Sequence, residues 1–291
     1  MGCPVVDVGC VSRPAVDFAV HHLRTAAGVY VTGAGLPPAG TGLDVVGADG
    51  VPWSAAGSLK RIADSGTLPV ARPTRLGGTL HTFDITGPHR TDFARRFTGL
   101  GRTRVGVAAE CPIQQRQLTD GFAPYGGWIV PLPELRGAGS TRDWERSRRR
   151  HWRQCFRQLE LTLAVLIAED GRQVRVWDEQ ARLLPADAWF VRLAEFLLAG
   201  AAERRIVVSP EVPPLTRGRL QALGAEVRTA PRPDHEALVR ELLEASAPLA
   251  TDGTGRVWLR EHYPVCDGLA TTAVLLHLAD HSPGLVSHWA A

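Results

Sequence analysis

Lysine is nearly missing from this chain. Lys60 is the only one among 33 basic residues, so almost all positive charge is arginine. With abundant Ala and Gly, that skew fits a GC-rich genome better than a function, although arginine does suit bidentate phosphate contacts. Cysteine is also scarce. Cys3, Cys10, Cys111, Cys155 and Cys266 are odd in number, widely spaced and lack a C-x-x-C pair. That argues against a zinc site or a disulfide framework and points to a reducing cytoplasm. No charged segment followed by an apolar core opens the chain, so no signal peptide is expected. Apolar runs such as 272–279 are far too short to span a bilayer. A net charge of +3 over 291 residues gives no case for nucleic-acid or membrane partners. Motifs of the G-x-S-x-G, Walker A and H-E-x-x-H types are absent, and so is a paired-carboxylate motif. His21, His22, His151, His262 and His288 are scattered and suit surface or core roles.

What is present is an ordinary globular composition, 44% hydrophobic and 22% charged, long enough for two domains or one large one. Residues 3–9 read as a strand, and Ser12-Arg13-Pro14 turns into a helix with Val16, Ala19, Val20 and Leu23 on one face. A β-run at 29–31 breaks at Gly33, passes a Gly/Pro-rich turn and returns through 43–46 to Ala48-Asp49-Gly50. Strand-then-Gly33-x-Gly35 invites a dinucleotide-binding reading, but the third glycine falls on Pro38 and no amphipathic helix follows. The stretch 67–78 is a Pro/Gly/Arg linker, and 136–140 is a second flexible stretch. Between them lie a helix at 89–97, a strand at 105–109, a helix at 114–122 and a strand at 128–132. The arginine-rich helix 143–161 reads as a solvated face over Trp144, Trp152, Phe156 and Leu159; an anion- or RNA-binding patch is the sharper alternative. Residues 161–167 are a near-continuous apolar run, as in a parallel strand buried on both faces. Helices at 188–198, 214–223, 233–245 and 268–279 alternate with strands at 205–209, 226–229 and 257–259, with Gly224 and Asp267 as helix-end signals.

The stretch from Gly28 to Ser54 resembles the active-serine loop of the α-D-phosphohexomutases, the phosphoglucomutase/phosphomannomutase superfamily, which reads roughly T-A-S-H-N-P-P and closes on G-A-D-G. Here Thr32, Gly33, Pro37, Pro38 and Gly47-Ala48-Asp49-Gly50 keep the frame, while Ala34 replaces the phosphorylated serine, Gly35 the histidine and Leu36 the asparagine. Ser12-Arg13-Pro14-Ala15-Val16 holds the place of the S-T-P-A-L segment before that loop. Residues 178–184 resemble the family's D-E-x-G-R-L-L turn. Counting back puts the three metal-ligand aspartates at Ala168, Asp170 and Arg172, so one survives. The sugar-recognition loop G-E-x-S-G falls on residues 251–255, with Asp252 at the glutamate, Thr254 at the serine and Gly255 at the glycine.

The resemblance implies an α/β fold of mixed sheets sandwiched by helices. It implies a truncated first domain (1–72), a divergent second (73–140) and a third with a preceding basic helix (141–291), without a fourth, phosphate-gripping domain. The match is specific at 2–54 and 161–279 and only topological between. With nucleophile, metal loop and fourth domain all deficient, catalytic residues, metal and cofactor are expected to be none. The expected role is a non-catalytic, cytoplasmic relative binding a hexose phosphate or a partner protein. Substrate contacts are expected at Asp252, Gly253, Thr254, Gly255 and Arg172, the last giving a bound phosphate the positive charge a metal would supply. An active phosphosugar mutase completed by another chain is the alternative, and a decayed reading frame is a third reading. Either an unstable protein or a docking edge for a partner or a second copy would follow from a first sheet without its opening strands.

Overall fold

A computed structural model of the chain describes residues 3–33, 40–55, 57–65, 78–100, 103–122, 128–132, 135, 142–168, 170–260, 263–282 and 284–290. The serine-loop positions Ala34, Gly35, Leu36, Pro37 and Pro38 lie outside these residues, as do most of the 67–78 linker and the 136–140 stretch. The side chains of 142–149 are likewise outside, which takes in Arg146, Arg148 and Arg149 of the proposed basic patch.

Strand β1 (Val5–Asp7) leads into helix α1 (Arg13–His22), where Pro14 occupies the first turn and lacks only an N–H that would have no partner there. The helix buries Ala15, Val16, Phe18, Ala19 and Val20. Strands β2 (Ala27–Thr32), β3 (Gly42–Gly47) and β4 (Pro52–Trp53) then form an antiparallel sheet of their own, and α2 (Ser58–Asp64) follows. The β–α–β order of the sequence reading is present, but β1 does not pair with β2. Its partner is β5 (Leu80–Thr82), in parallel, with Val5 opposite Leu80. Both strands of that pair are exposed along their length. The outer face of the hairpin is also open: Val29 and Val31 are 60% and 63% exposed, and Leu43, opposite Val31, is 63% exposed.

Helix α3 (Thr86–Arg95) precedes the second unit, which contains β6 (Val105–Ala109), α4 (Pro112–Phe122), β7 (Ile129–Pro131), α5 (Arg142–Gln158), β8 (Leu163–Ala168) and β9 (Gln173–Asp178). The strand order is β7-β6-β8-β9. A division at residue 140 therefore runs through one sheet, because β6 bonds β8 over five residue pairs. The apolar run at β8 is buried at every position, as its composition requires, but the sheet is mixed: β8 is parallel to β6 and antiparallel to β9.

The third unit runs α6 (Ala186–Ala199), β10 (Arg205–Val208), α7 (Pro214–Ala222), β11 (Glu226–Thr229), α8 (His235–Glu244), β12 (Leu249–Thr251), β13 (Val257–Arg260), β14 (Pro264–Cys266) and α9 (Gly268–His281). Its sheet has the order β11-β10-β12-β13-β14. Asp267 caps α9 by accepting the Leu269 N–H at 2.7 Å, and Gly224 (φ +78°) closes α7, both as read from sequence. One apolar core joins the second and third units through Val165, Ile167, Trp189, Leu193, Leu249, Leu269 and Leu276. Among the described residues no helix is long and apolar enough to cross a membrane.

Candidate functional site

The loops that follow β1, β8, β12 and β14 meet at one place, at the carboxyl ends of these strands. Backbone bonds hold them there. The Arg13 N–H donates to the Asp170 carbonyl at 3.1 Å, and the Gly268 N–H donates to the Gly171 carbonyl at 2.8 Å. Gly171 has φ +106°, a backbone conformation that favours glycine, and a Cβ here would also press on the Gln114 amide of α4.

Beyond that glycine, Arg172 does not present a bare charge. Its Nε and terminal nitrogen donate to the two oxygens of Asp170 at 3.0 and 2.5 Å, and the same terminal nitrogen lies 3.1 Å from Asp44 Oδ2. Asp44 is also bonded by Arg13 Nε at 3.4 Å, and Arg13 pairs with Asp17 one helical turn on. Arg13 is 2% exposed, and Asp170 and Arg172 are both largely buried. Burial alone would lower the Arg172 pKa, but the carboxylates of Asp170 and Asp44 outweigh it and hold the group above its ordinary value. Burial raises Asp17, opposed by Arg13.

A divalent metal does not fit this donor set. Ala168 offers no oxygen from its side chain, Asp170 is already bidentate to a guanidinium, and Arg172 carries the wrong sign. A divalent ion about 4 Å from that guanidinium would meet about 8 kcal/mol of repulsion at an effective dielectric of about 20. Among the described residues no group of three or more His, Cys, Asp or Glu side chains could hold a metal ion.

The 251–256 loop lies against the same strand. The Val174 N–H donates to the Gly255 carbonyl at 2.9 Å, and Gln173 Nε2 donates to the Thr254 carbonyl at 2.8 Å. Gly255 has φ +100°, and a Cβ there would come within 2.4 Å of the Val174 carbonyl. Asp252 organises the loop from inside. Its Oδ1 accepts from the Thr254 N–H at 2.8 Å and from the Thr254 hydroxyl at 2.7 Å. Its Oδ2 lies 3.3 Å from an Arg256 nitrogen and 3.4 Å from His235 Nε2. Burial would raise the Asp252 carboxyl, but His235, Thr254 and Arg256 together hold it down at about 2. His235 lies against Trp258 with ring centroids 4.9 Å apart and the rings tilted by 59°. Thr254 is exposed, whereas Asp252 and Gly255 are buried.

The structure thus brings Arg172 and residues 252–255 together, with Cys266 between them. Its thiol lies 3.7 Å from the Arg172 carbonyl oxygen, and burial pushes its pKa up. Two members of the site were not assigned from sequence. Arg256 simply follows the matched loop. His235 opens α8 next to its capping residue Asp234, and nothing in its local pattern marks it.

Residues 1–65 match the family model for phosphoglucomutase/phosphomannomutase, alpha/beta/alpha domain I. The chain is 22% identical over 306 residues to a phosphoglucosamine mutase of Leuconostoc mesenteroides, covering 100% of this chain and 66% of that protein. The fold superposes on a putative phosphomannomutase of Thermus thermophilus (TM-score 0.76, 21% identity, 98% of this chain and 67% of that one). It also superposes on a phosphoglucomutase/phosphomannomutase family protein of Burkholderia thailandensis (TM-score 0.75, 20% identity, 98% and 64%). The chain spans about two thirds of the length of these relatives. Residues 1–65 thus match domain I of the phosphoglucomutase/phosphomannomutase family, and the chain as a whole shares the fold of these solved structures.

Proposed function

We propose that this chain binds a hexose phosphate, in the cytoplasm, without transferring the phosphoryl group. The observation that carries the reading is the 251–256 loop, whose polar groups are already fixed by Asp252 before any ligand arrives. Asp252 acts as the orienting residue. The exposed Thr254 hydroxyl donates to Asp252 and accepts from Arg256, which leaves one lone pair to accept from a sugar hydroxyl. Gly253 and Gly255 shape the backbone, and Arg256, held to Asp252 and Thr254 through one nitrogen, places a guanidinium beside that loop for the anionic end. Preorganised donors and acceptors of this kind lower the cost of ordering on binding. Transfer is a different matter. A mutase needs a hydroxyl at position 34 to carry the phosphate and a cation in the 168–172 loop. Ala34 has no hydroxyl, and the loop holds Ala168 and Arg172.

A thermal-shift titration with glucose 1-phosphate, glucose 6-phosphate and their mannose and glucosamine counterparts tests the reading. A rise in midpoint that is independent of Mg²⁺ and disappears in Asp252→Ala is expected. Interconversion of glucose 1-phosphate and glucose 6-phosphate above background would instead support an active mutase, completed by another chain. A second reading, binding of a partner protein or a second copy, is favoured by the open apolar face of Val29, Val31 and Leu43 and the exposed β1–β5 pair. Cooperative unfolding with no shift from any sugar phosphate, together with a solution mass above one chain, would select it.

A further inference from the structure

We infer that Arg172, bridging Asp170 to Asp44, replaces the metal as an internal clasp that joins the β8–β9 loop to the β2–β3 hairpin and makes this junction independent of divalent cations. The inference goes beyond sugar binding, since no part of it uses the 252–255 loop.

The geometry closes a ring. Arg13 donates its backbone N–H to the Asp170 carbonyl and its Nε to Asp44, Arg172 forms an ion pair with Asp44 at 3.1 Å, and Arg172 returns to Asp170 through two nitrogens. Two arginines alternate with Asp17, Asp44 and Asp170, so each carboxylate of the chain meets at least one guanidinium. The elements joined are α1, the β3 strand and the β8–β9 loop, which belong to different sheets. A metal at the centre of this cluster would draw carboxylates together from both sides. A planar guanidinium does the same with its fork of N–H groups, but its charge is covalently part of the chain and cannot be chelated away. Arg172 also cannot be offered to a phosphate without giving up Asp170 or Asp44. The role expected from sequence, charge supplied to a bound phosphate, would need one of those pairs to open.

Mn²⁺ binding and local hydrogen exchange test the clasp. Added to the purified chain, Mn²⁺ should keep its free-ion paramagnetic resonance signal, and the thermal midpoint should be the same in Mg²⁺ and in EDTA. Saturable loss of the Mn²⁺ signal, or a midpoint that rises with Mg²⁺, would overturn the inference without any variant. In Arg172→Gln and in Asp44→Asn, exchange at the β3 amides of Val45 and Val46 should rise by about tenfold, and the double variant should add little more, because both remove the same bridge. Unchanged exchange in both single variants, or fully additive increases in the double, would equally overturn it. These readouts involve no sugar phosphate, so a failure here leaves the ligand titration standing, and the reverse holds too.

Discussion

Glu236 ties the third unit to the first, and its removal should be felt across that junction. It lies in the first turn of α8, and its side chain is 1% exposed. One oxygen accepts the N–H groups of Ser54 and Ser58 at 2.8 and 2.7 Å, at the start of α2. The other accepts the Ser58 hydroxyl at 2.5 Å and Arg240 Nε at 3.1 Å, with Arg61 at 3.4 Å. Two N–H groups bonded to a charged acceptor are worth about 1.5–3 kcal/mol each. The two half-exposed or exposed arginines add little. Because the α2 end regains some water in the variant, Glu236→Ala should cost about 3 kcal/mol, and Glu236→Gln, which keeps one acceptor, about 1–2 kcal/mol. A urea midpoint together with amide exchange across α2 reads both effects. Burial would raise the Glu236 carboxyl, but the Ser54 and Ser58 donors and Arg240 hold it at about 2, below its ordinary 4.5. A depressed carboxylate stabilises the fold fully above the unfolded value and loses that contribution as pH falls from 4.5 towards 2. The wild type should therefore lose more stability than Glu236→Gln across that window. If Glu236→Ala unfolds within about 0.5 kcal/mol of wild type, with α2 exchange unchanged, the junction does not depend on this carboxylate.

Two further outcomes follow from single residues. Gly255→Ala places a Cβ 2.4 Å from the Val174 carbonyl at φ +100°, so it should destabilise the chain by about 2–4 kcal/mol and weaken any sugar-phosphate midpoint shift; a variant as stable as wild type would mean the loop sits off β9. Thiol labelling under native conditions should proceed first at the exposed Cys3 and Cys10 and last at Cys266, which is buried with a raised pKa. Labelling of Cys266 as fast as Cys10, followed by mass spectrometry of peptides, would refute that burial.

Elements with a long period were legible before any coordinates. The β6 and β11 boundaries coincide with those read from sequence, and α4, α6 and α9 differ by two residues or fewer at each end. Of the three-residue strands, β1 and β7 lie within segments that read as strands, whereas β5, β12 and β14 are too short to show a period of their own. Pairing was harder still. Val5 opposite Leu80 rests on tertiary packing, and nothing local in either segment names the other. The boundary expected at 140 falls between β7 and β8, which share one sheet through β6. At the site, loss of the metal aspartates was visible in Ala168 and Arg172. Where Arg172 turns instead was not, because Asp44 belongs to a hairpin in another sheet. His235 was missed because a helix-opening histidine looks the same whether it faces water or a carboxylate.

The near-absence of lysine has a use in the folded molecule. Lys60 is exposed and sits in the middle of the short helix α2, just past the Ser58 amide that Glu236 holds. A lysine-specific protease therefore has one bond to cut, after Lys60, and a helical backbone does not enter a protease cleft until it unwinds. Each cleavage event reports one opening of α2, and the digestion gives two fragments, divided at residue 60. The chain carries its own single-site gauge of how often its first unit lets go of its third.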